Sequence, residues 1–171
     1  MAAKTGTYTL IASTTITSST ATVTFSSIPS TYTDLILVAG SLLQVTGGNG
    51  LRMRFNSDTA TNYSTTQLLG NGTAASSTRE TSQSSTYAGG STYSSTNPGT
   101  AIAHIMDYAN STTYKTVLNR GSQAGNDVIA QVGLWRSTAA ITSITLAMGG
   151  AFPSDNIASG TFKLYGIEAA K

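Results

Sequence analysis

The sequence predicts an all-β chain: a jelly-roll-like two-sheet β-sandwich of about eight to ten strands, in a single domain spanning 1–171. Three observations predict it. Apolar residues recur with period two along much of the chain. Turn residues punctuate these runs at short intervals. No long stretch places apolar residues at i, i+3, i+4 and i+7, so helix is not expected.

The strands are read in chain order. Ala21, Val23 and Phe25 alternate with Thr22 and Thr24. Leu35–Val38 is apolar on both faces and reads as a central, fully buried strand. Leu51, Met53 and Phe55 alternate with Arg52 and Arg54. Ile102, His104, Met106 and Tyr108 share a face opposite Ala103, Ile105 and Asp107. Val128, Ala130, Val132 and Leu134 oppose Ile129, Gln131 and Trp135. Ile144, Leu146 and Met148 form another face, and Phe162 and Leu164 oppose Lys163, Tyr165 and Ile167. Between these runs fall Ile28-Pro29-Ser30, Gly47-Gly48-Asn49-Gly50, Asn71-Gly72, Asn97-Pro98-Gly99, Asn110-Ser111, Gly125-Asn126-Asp127 and Pro153-Ser154-Asp155. The Gly47–Gly50 run is expected to turn a hairpin. It lacks the following Lys-Ser/Thr and helix of a phosphate loop.

One stretch departs from this pattern. Residues 71–99 are dominated by Ser, Thr and Gly and contain no Leu, Ile, Val or Phe. They are expected to form a long insertion loop, ordered only if neighbouring subunits hold it, because fixing each residue's backbone costs about 1–2 kcal/mol. Tyr87 and Tyr93 are its large anchors.

Composition narrows the function. Charged residues make up 9% of the chain, against about 25% in ordinary soluble domains. Polarity comes instead from 30 Thr and 23 Ser. A surface so poor in charge repels other proteins weakly, which suits a subunit of an assembly better than a free monomer. Net charge is +2 with scattered Lys and Arg, so nucleic-acid binding is not implied. With no cysteine, disulfides, thiolate nucleophiles and cysteine-bound zinc are excluded. The start, Met1-Ala2-Ala3-Lys4, has no apolar secretory stretch, and Leu35–Leu43 is too short to span a bilayer. The expectation is a chain made in the cytoplasm, with no membrane partner and no cofactor.

Catalytic constellations are sparse. His104 is the single histidine. Asp107, three residues on, lies on the opposite face of a strand and cannot pair with it locally. Some distant Ser and Asp could complete a triad with His104. The simpler reading, a half-buried histidine on a sheet face, is preferred. Paired carboxylates could cleave glycosidic bonds. The seven acids, Asp34, Asp58, Glu80, Asp107, Asp127, Asp155 and Glu168, fall mostly at turns or strand ends, where Asp accepts local hydrogen bonds. Asn56-Ser57-Asp58 and Asn126-Asp127 could offer oxygens to calcium but read better as Asx turns. Arg52 and Arg54 could meet a phosphate, a sugar or a partner carboxylate, or lie on a solvated face. Trp135 sits at a strand end, where sugar platforms and interface hot spots occur, as do core residues.

Several segments together resemble small structural proteins of tailed phages, chiefly those of cyanobacteria and aquatic bacteria. They are Ile11-Ala12-Ser13-Thr14-Thr15 with Val23-Thr24-Phe25-Ser26-Ser27-Ile28-Pro29 and Tyr32-Thr33-Asp34-Leu35. Leu51-Arg52-Met53-Arg54-Phe55-Asn56 follows, with Asp58 and Asn62-Tyr63-Ser64. Then come Gly133-Leu134-Trp135, Ala140-Ile141-Thr142-Ser143-Ile144-Thr145-Leu146 and Phe162-Lys163-Leu164-Tyr165-Gly166-Ile167. The resemblance implies a virion structural protein without catalytic or metal residues. It is similar both to capsid decoration (cement) proteins and to tail-fibre or baseplate modules that bind host surface glycan. The favoured expectation is a non-enzymatic decoration protein, homo-oligomeric, bound to the major capsid protein or another virion protein. Arg52, Arg54, Tyr87, Tyr93 and Trp135 are its candidate partner-binding residues, together with the 71–99 loop and the Met1–Thr7 arm.

Overall fold

The computed structural model describes residues 7–90, 92–123, 125, 127–150 and 152–168. These form two antiparallel sheets. Their strands are β1 (Tyr8–Ile16), β2 (Thr22–Phe25), β3 (Asp34–Gln44), β4 (Leu51–Phe55), β5 (Tyr63–Gly70), β6 (Ala75–Gln83), β7 (Thr86–Tyr87), β8 (Gly99–Ile105), β9 (Lys115–Gln123), β10 (Asp127–Trp135), β11 (Ile144–Met148) and β12 (Ile157–Ile167). The large sheet has eight strands in the order β1-β12-β3-β8-β9-β10-β5-β6. The small one has four, β2-β11-β4-β7.

The pairing is that of a jelly roll. β4 pairs with β7, β3 with β8, β2 with β11 and β1 with β12, as one long hairpin wrapped across two sheets. Two hairpins are inserted into this wrap. β5–β6 follows β4, and β9–β10 follows β8. They pair with each other through β10 and β5 and so widen the large sheet from four strands to eight.

Period two builds the core. Leu35, Leu37, Phe162 and Leu164 from the large sheet meet Phe25, Met53, Phe55, Ile144 and Leu146 from the small one. At one end Trp135 stacks on Tyr63, with ring centroids 6.2 Å apart, and lies 5.4 Å from Phe55.

Residues 71–99 are not one long loop. They contain β6, a full edge strand of the large sheet, and β7, an edge of the small one. The segment 85–90 is buried. Its small residues let it lie directly on the inner face of the inserted hairpins. A Cβ on Gly121 would come within 2.5 Å of Gly90 N, and one on Gly133 within 2.3 Å of Thr86 Oγ1. Polar groups bridge the two sides. Thr65 and Thr86 share a hydroxyl bond of 2.9 Å, and Asn119 Nδ2 donates to Tyr87 O at 2.6 Å. Order here comes from within the chain, through hydroxyl, amide and backbone contacts that a count of apolar residues does not register.

Two further expectations change. Gly47–Gly50 connects β3 to β4, which lie in different sheets, so it is a cross-sheet link and not a hairpin turn. β3 is central but buried on one side only. Leu35 and Leu37 face the core, while Ile36 and Val38 are partly open on the other face.

Adding a methyl group at Gly121 should therefore force two backbone segments apart. Gly121→Ala is expected to lose about 3 kcal/mol in denaturant unfolding. Gly40→Ala, with nothing within 4 Å of its added Cβ, should be neutral or slightly stabilising.

Candidate interaction face

The five residues expected to contact a partner serve the fold. Arg52 is buried. Its guanidinium lies 4.0 Å from the centre of the Tyr87 ring, donates to Tyr87 Oη at 2.8 Å and pairs with Glu80 at 2.9 Å. Tyr87 Oη in turn donates to Glu80 at 3.1 Å. Arg54 is half-buried; it donates to Ser84 O and Ser84 Oγ and covers the Phe152 ring. Tyr93 is fully buried, accepting from Gly90 N at 2.9 Å and donating to Thr100 O at 3.1 Å. Trp135 is buried and donates to Asp58 Oδ2 at 2.6 Å. Among the described residues Arg52 and Arg54 form no solvated face, and Tyr87, Tyr93 and Trp135 are buried rather than gathered in an exposed groove. Of the expected arm, residues 1–6 lie outside the described residues.

The acids are mostly occupied as well. Asp58 accepts from Ala60 N, Asn62 Nδ2 and Trp135 Nε1, an Asx turn extended by a core tryptophan. Asp155 accepts from Thr46 N and Asn156 N. Asn126, half of the other calcium candidate, lies outside the described residues. His104 finds a carboxylate that its sequence neighbourhood does not suggest. Its Nε2 lies 2.8 Å from Asp34 Oδ2, across the β3–β8 pair, and Asp34 Oδ1 accepts from Asp107 N at 2.7 Å. Among the described residues no hydroxyl is hydrogen-bonded to His104.

The open surface lies elsewhere, on the outer face of the large sheet. Strand register aligns its outward residues in rows that cross all eight strands. One row runs Leu10, Tyr165, Ile36, His104, Leu118, Val132, and ends on Thr66 and Arg79. The next runs Ser13, Lys163, Val38, Ile102, Arg120, Ala130, Leu68 and Ser77. Tyr8, Ile167, Asp34 and Leu134 belong to a third. Between Tyr8 and Leu68 the face sinks into a groove of about 680 Å³ with Ile36, Ile102, His104 and Leu118 among its lining residues.

This face is inverted over the inserted hairpins. On β10, Val128 and Val132 are 63% and 49% exposed, while the intervening Gln131 is 3% exposed. Leu68 on β5 is 62% exposed, and Tyr8 at the far edge 59%. An amphipathic strand ordinarily turns its apolar side inward. Here Asn119 Nδ2 donates to Tyr87 O and Gln131 Nε2 to Gln67 Oε1 on the covered side, while Leu118, Val128 and Val132 are left open. Eight strands about 4.8 Å apart make the face roughly 34 Å wide. Three rows about 7 Å apart span roughly 14 Å, so the face covers on the order of 500 Å² in projection, its charged and hydroxyl side chains included.

No protein-family model matches the chain, and no curated protein or solved structure matches it either.

Two outcomes test this assignment of roles. Arg52→Ala leaves Glu80 and Tyr87 without their cation and should destabilise the fold by about 2 kcal/mol, because Glu80 keeps partial access to water. Arg52→Met should recover part of that loss. Asp58 gives a pH signature. Burial alone would raise its pKa, but the hydrogen bonds from Trp135, Asn62 and Ala60 outweigh burial and hold it below the usual 3.8. A carboxyl depressed in the folded state contributes stability above its unfolded pKa and loses it as pH falls through the folded one. Unfolding titrations should show wild type losing stability below about pH 4, with a shallower loss in Asp58→Asn.

Proposed function

We propose that the chain is a structural subunit of a tailed-phage particle, and within it a decoration (cement) protein that binds the outer shell and bridges capsid subunits. One observation carries this reading: a jelly roll whose widened sheet, among the described residues, leaves Tyr8, Leu10, Leu118, Val132, Val128 and Leu68 open on its outer face. Such a face is stable in water only at a cost of about 25 cal/mol for each Å² of apolar surface left wet. An assembly recovers it. The sparse charge supports the same reading, since weakly charged neighbours pack without repulsion. The phage-like segments quoted above contribute to both sheets. They include β2 and β4 of the small sheet, and β12 and the end of β10 in the large one.

The mechanism is mechanical. A shell under pressure from packaged DNA needs contacts of about 1,600 Å² that resist shear, and many copies on a lattice add their contacts. No chemical step is required of the chain. The glycan-binding alternative loses the aromatics that argued for it, because Tyr87, Tyr93 and Trp135 are buried.

Mass spectrometry of purified particles should find the chain at a stoichiometry fixed by the shell lattice, with jelly-roll density on the capsid exterior in cryo-EM maps. Absence from particles that contain every other structural protein would defeat the proposal. Density at the tail tip instead would defeat the decoration role.

A further inference from the structure

We infer that the groove on the outer face of the large sheet docks an extended, acidic and aliphatic segment of a protein partner, with a partner carboxylate on Arg120. The inference rests on the reading of the chain as an assembly subunit and names the chemistry of the surface it binds.

Charge selects the occupant. The outward side chains of the large sheet include Arg79, Arg120, Lys163 and the His104 imidazole. Against them, among the described residues of these strands, stands the outward acid Asp34, and it is taken internally. His104 Nε2 lies on one of its oxygens and Asp107 N donates to the other. Glu80 and Asp127 belong to the same sheet but turn inward, where Glu80 pairs with Arg52 and Asp127 is buried. Arg120 is exposed, and among the described residues no carboxylate pairs with it. Its neighbours across the strands are Ile102 and Ala130. A partner that covers this face with aliphatic groups alone strips the guanidinium of water and returns nothing to it. A second copy of the chain would bring the same excess of cations. An opposing carboxylate removes the cost, and its charge-assisted bonds to a guanidinium are strong where the walls are apolar.

Shape gives the spacing. Three hollows meet at Ile102 and Arg120. The largest, about 680 Å³, runs past His104 and Leu118 to Leu68. A second, about 360 Å³, lies beside Tyr8, Ile36 and Tyr165. A third, about 250 Å³, is edged by Thr100 and Ser122. Arg120 thus stands where two apolar hollows join. In an extended segment, side chains two residues apart share a face. An acid with an aliphatic residue two positions before and after it sets its carboxylate on Arg120 and its neighbours in the hollows.

Heteronuclear NMR of the nitrogen-labelled full chain tests the inference. The probe is a blocked synthetic peptide with a central glutamate, leucines two residues to either side and threonines elsewhere. Its controls carry glutamine or lysine at the centre. The glutamate peptide, added to about millimolar concentration, should shift the amide signals of Ile102, Leu118 and Val132 and the Arg120 side-chain Nε–H. The glutamine peptide should bind about tenfold more weakly, and the lysine peptide more weakly still. Arg120→Gln should abolish the difference between the glutamate and glutamine peptides while leaving the amide spectrum of the other strands unchanged. Ser122→Glu, at the next outward position on β9, places a carboxylate of this chain beside Arg120 and should blunt the same preference. Equal binding of the three peptides, or no shift on the outer face, overturns the inference. So does a glutamate preference that survives Arg120→Gln or, where that variant does not fold, survives Ser122→Glu. Glutamate-selective binding by a chain absent from virions would sink the proposed function and leave this docking site standing. A chain present on the shell but indifferent to the glutamate would do the reverse.

Discussion

The structure depends on the contact between residues 85–90 and the inner face of β8, β9 and β10. Gly121 and Gly133 bring the two layers to backbone distance, and a methyl group at either position has no room. That contact orders a stretch which has no aliphatic residue of its own larger than Ala88. It also gives Asn119 a backbone carbonyl to bind, and Thr65 a hydroxyl. With Thr65, Asn119 and Gln131 turned inward and bonded there through the Thr65 hydroxyl and the two amide nitrogens, β5, β9 and β10 carry apolar residues outward. The open face of the large sheet is therefore a consequence of what the 85–90 segment covers.

How much of this was legible in the sequence follows from which signal each element carries. β2, β4, β8, β10, β11 and β12 carry period-two patterns and β3 a continuous apolar run, and their apolar residues identify them. β6, with the sequence Ala-Ser-Ser-Thr-Arg-Glu-Thr-Ser-Gln, has no apolar alternation, because both its faces meet water or polar groups. Its strand state comes from pairing with β5 and cannot be read locally. β9 mixes Val117 inside with Leu118 outside, so its alternation cancels. Residues 71–99 misled for a related reason: an absence of large aliphatics implied a loop, whereas small residues were the condition for close packing.

The site was less legible than the fold. Arg52, Tyr87, Tyr93 and Trp135 looked like contact residues because large polar or aromatic side chains make good anchors, and that chemistry anchors the interior equally well. A cation over a ring, shared with a carboxylate, is held when buried by the contacts of Arg52 Nη2 with Glu80 and Tyr87 and by the Tyr87 hydroxyl on Glu80. The Asp34–His104 pair is 70 residues apart in the chain and joined by β3–β8 register. The face itself was visible in fragments. The division of β10 into Val128, Ala130, Val132 and Leu134 against Gln131 was correct, but which side faces water depends on what packs against the other.

The two outer surfaces differ in kind, and the difference gives the molecule a direction. On the small sheet the outward residues of β2 are threonines, and the Thr24 and Thr145 hydroxyls lie 3.2 Å apart across the pair with β11. Water solvates such a surface readily, and Thr favours the pleat that presents it. On the large sheet the outward rows carry exposed aliphatic and aromatic residues, Tyr8, Leu10, Leu68, Leu118, Val128 and Val132, among His104, Arg120 and Lys163. A chain with so few charges cannot rely on repulsion to keep its apolar face from neighbours. Its hydroxyl face is one that water can keep, and its apolar face is one that water expels. Association through the large sheet would leave the small sheet's threonines pointing outward, so the solvated surface of the assembly would be the one already suited to water.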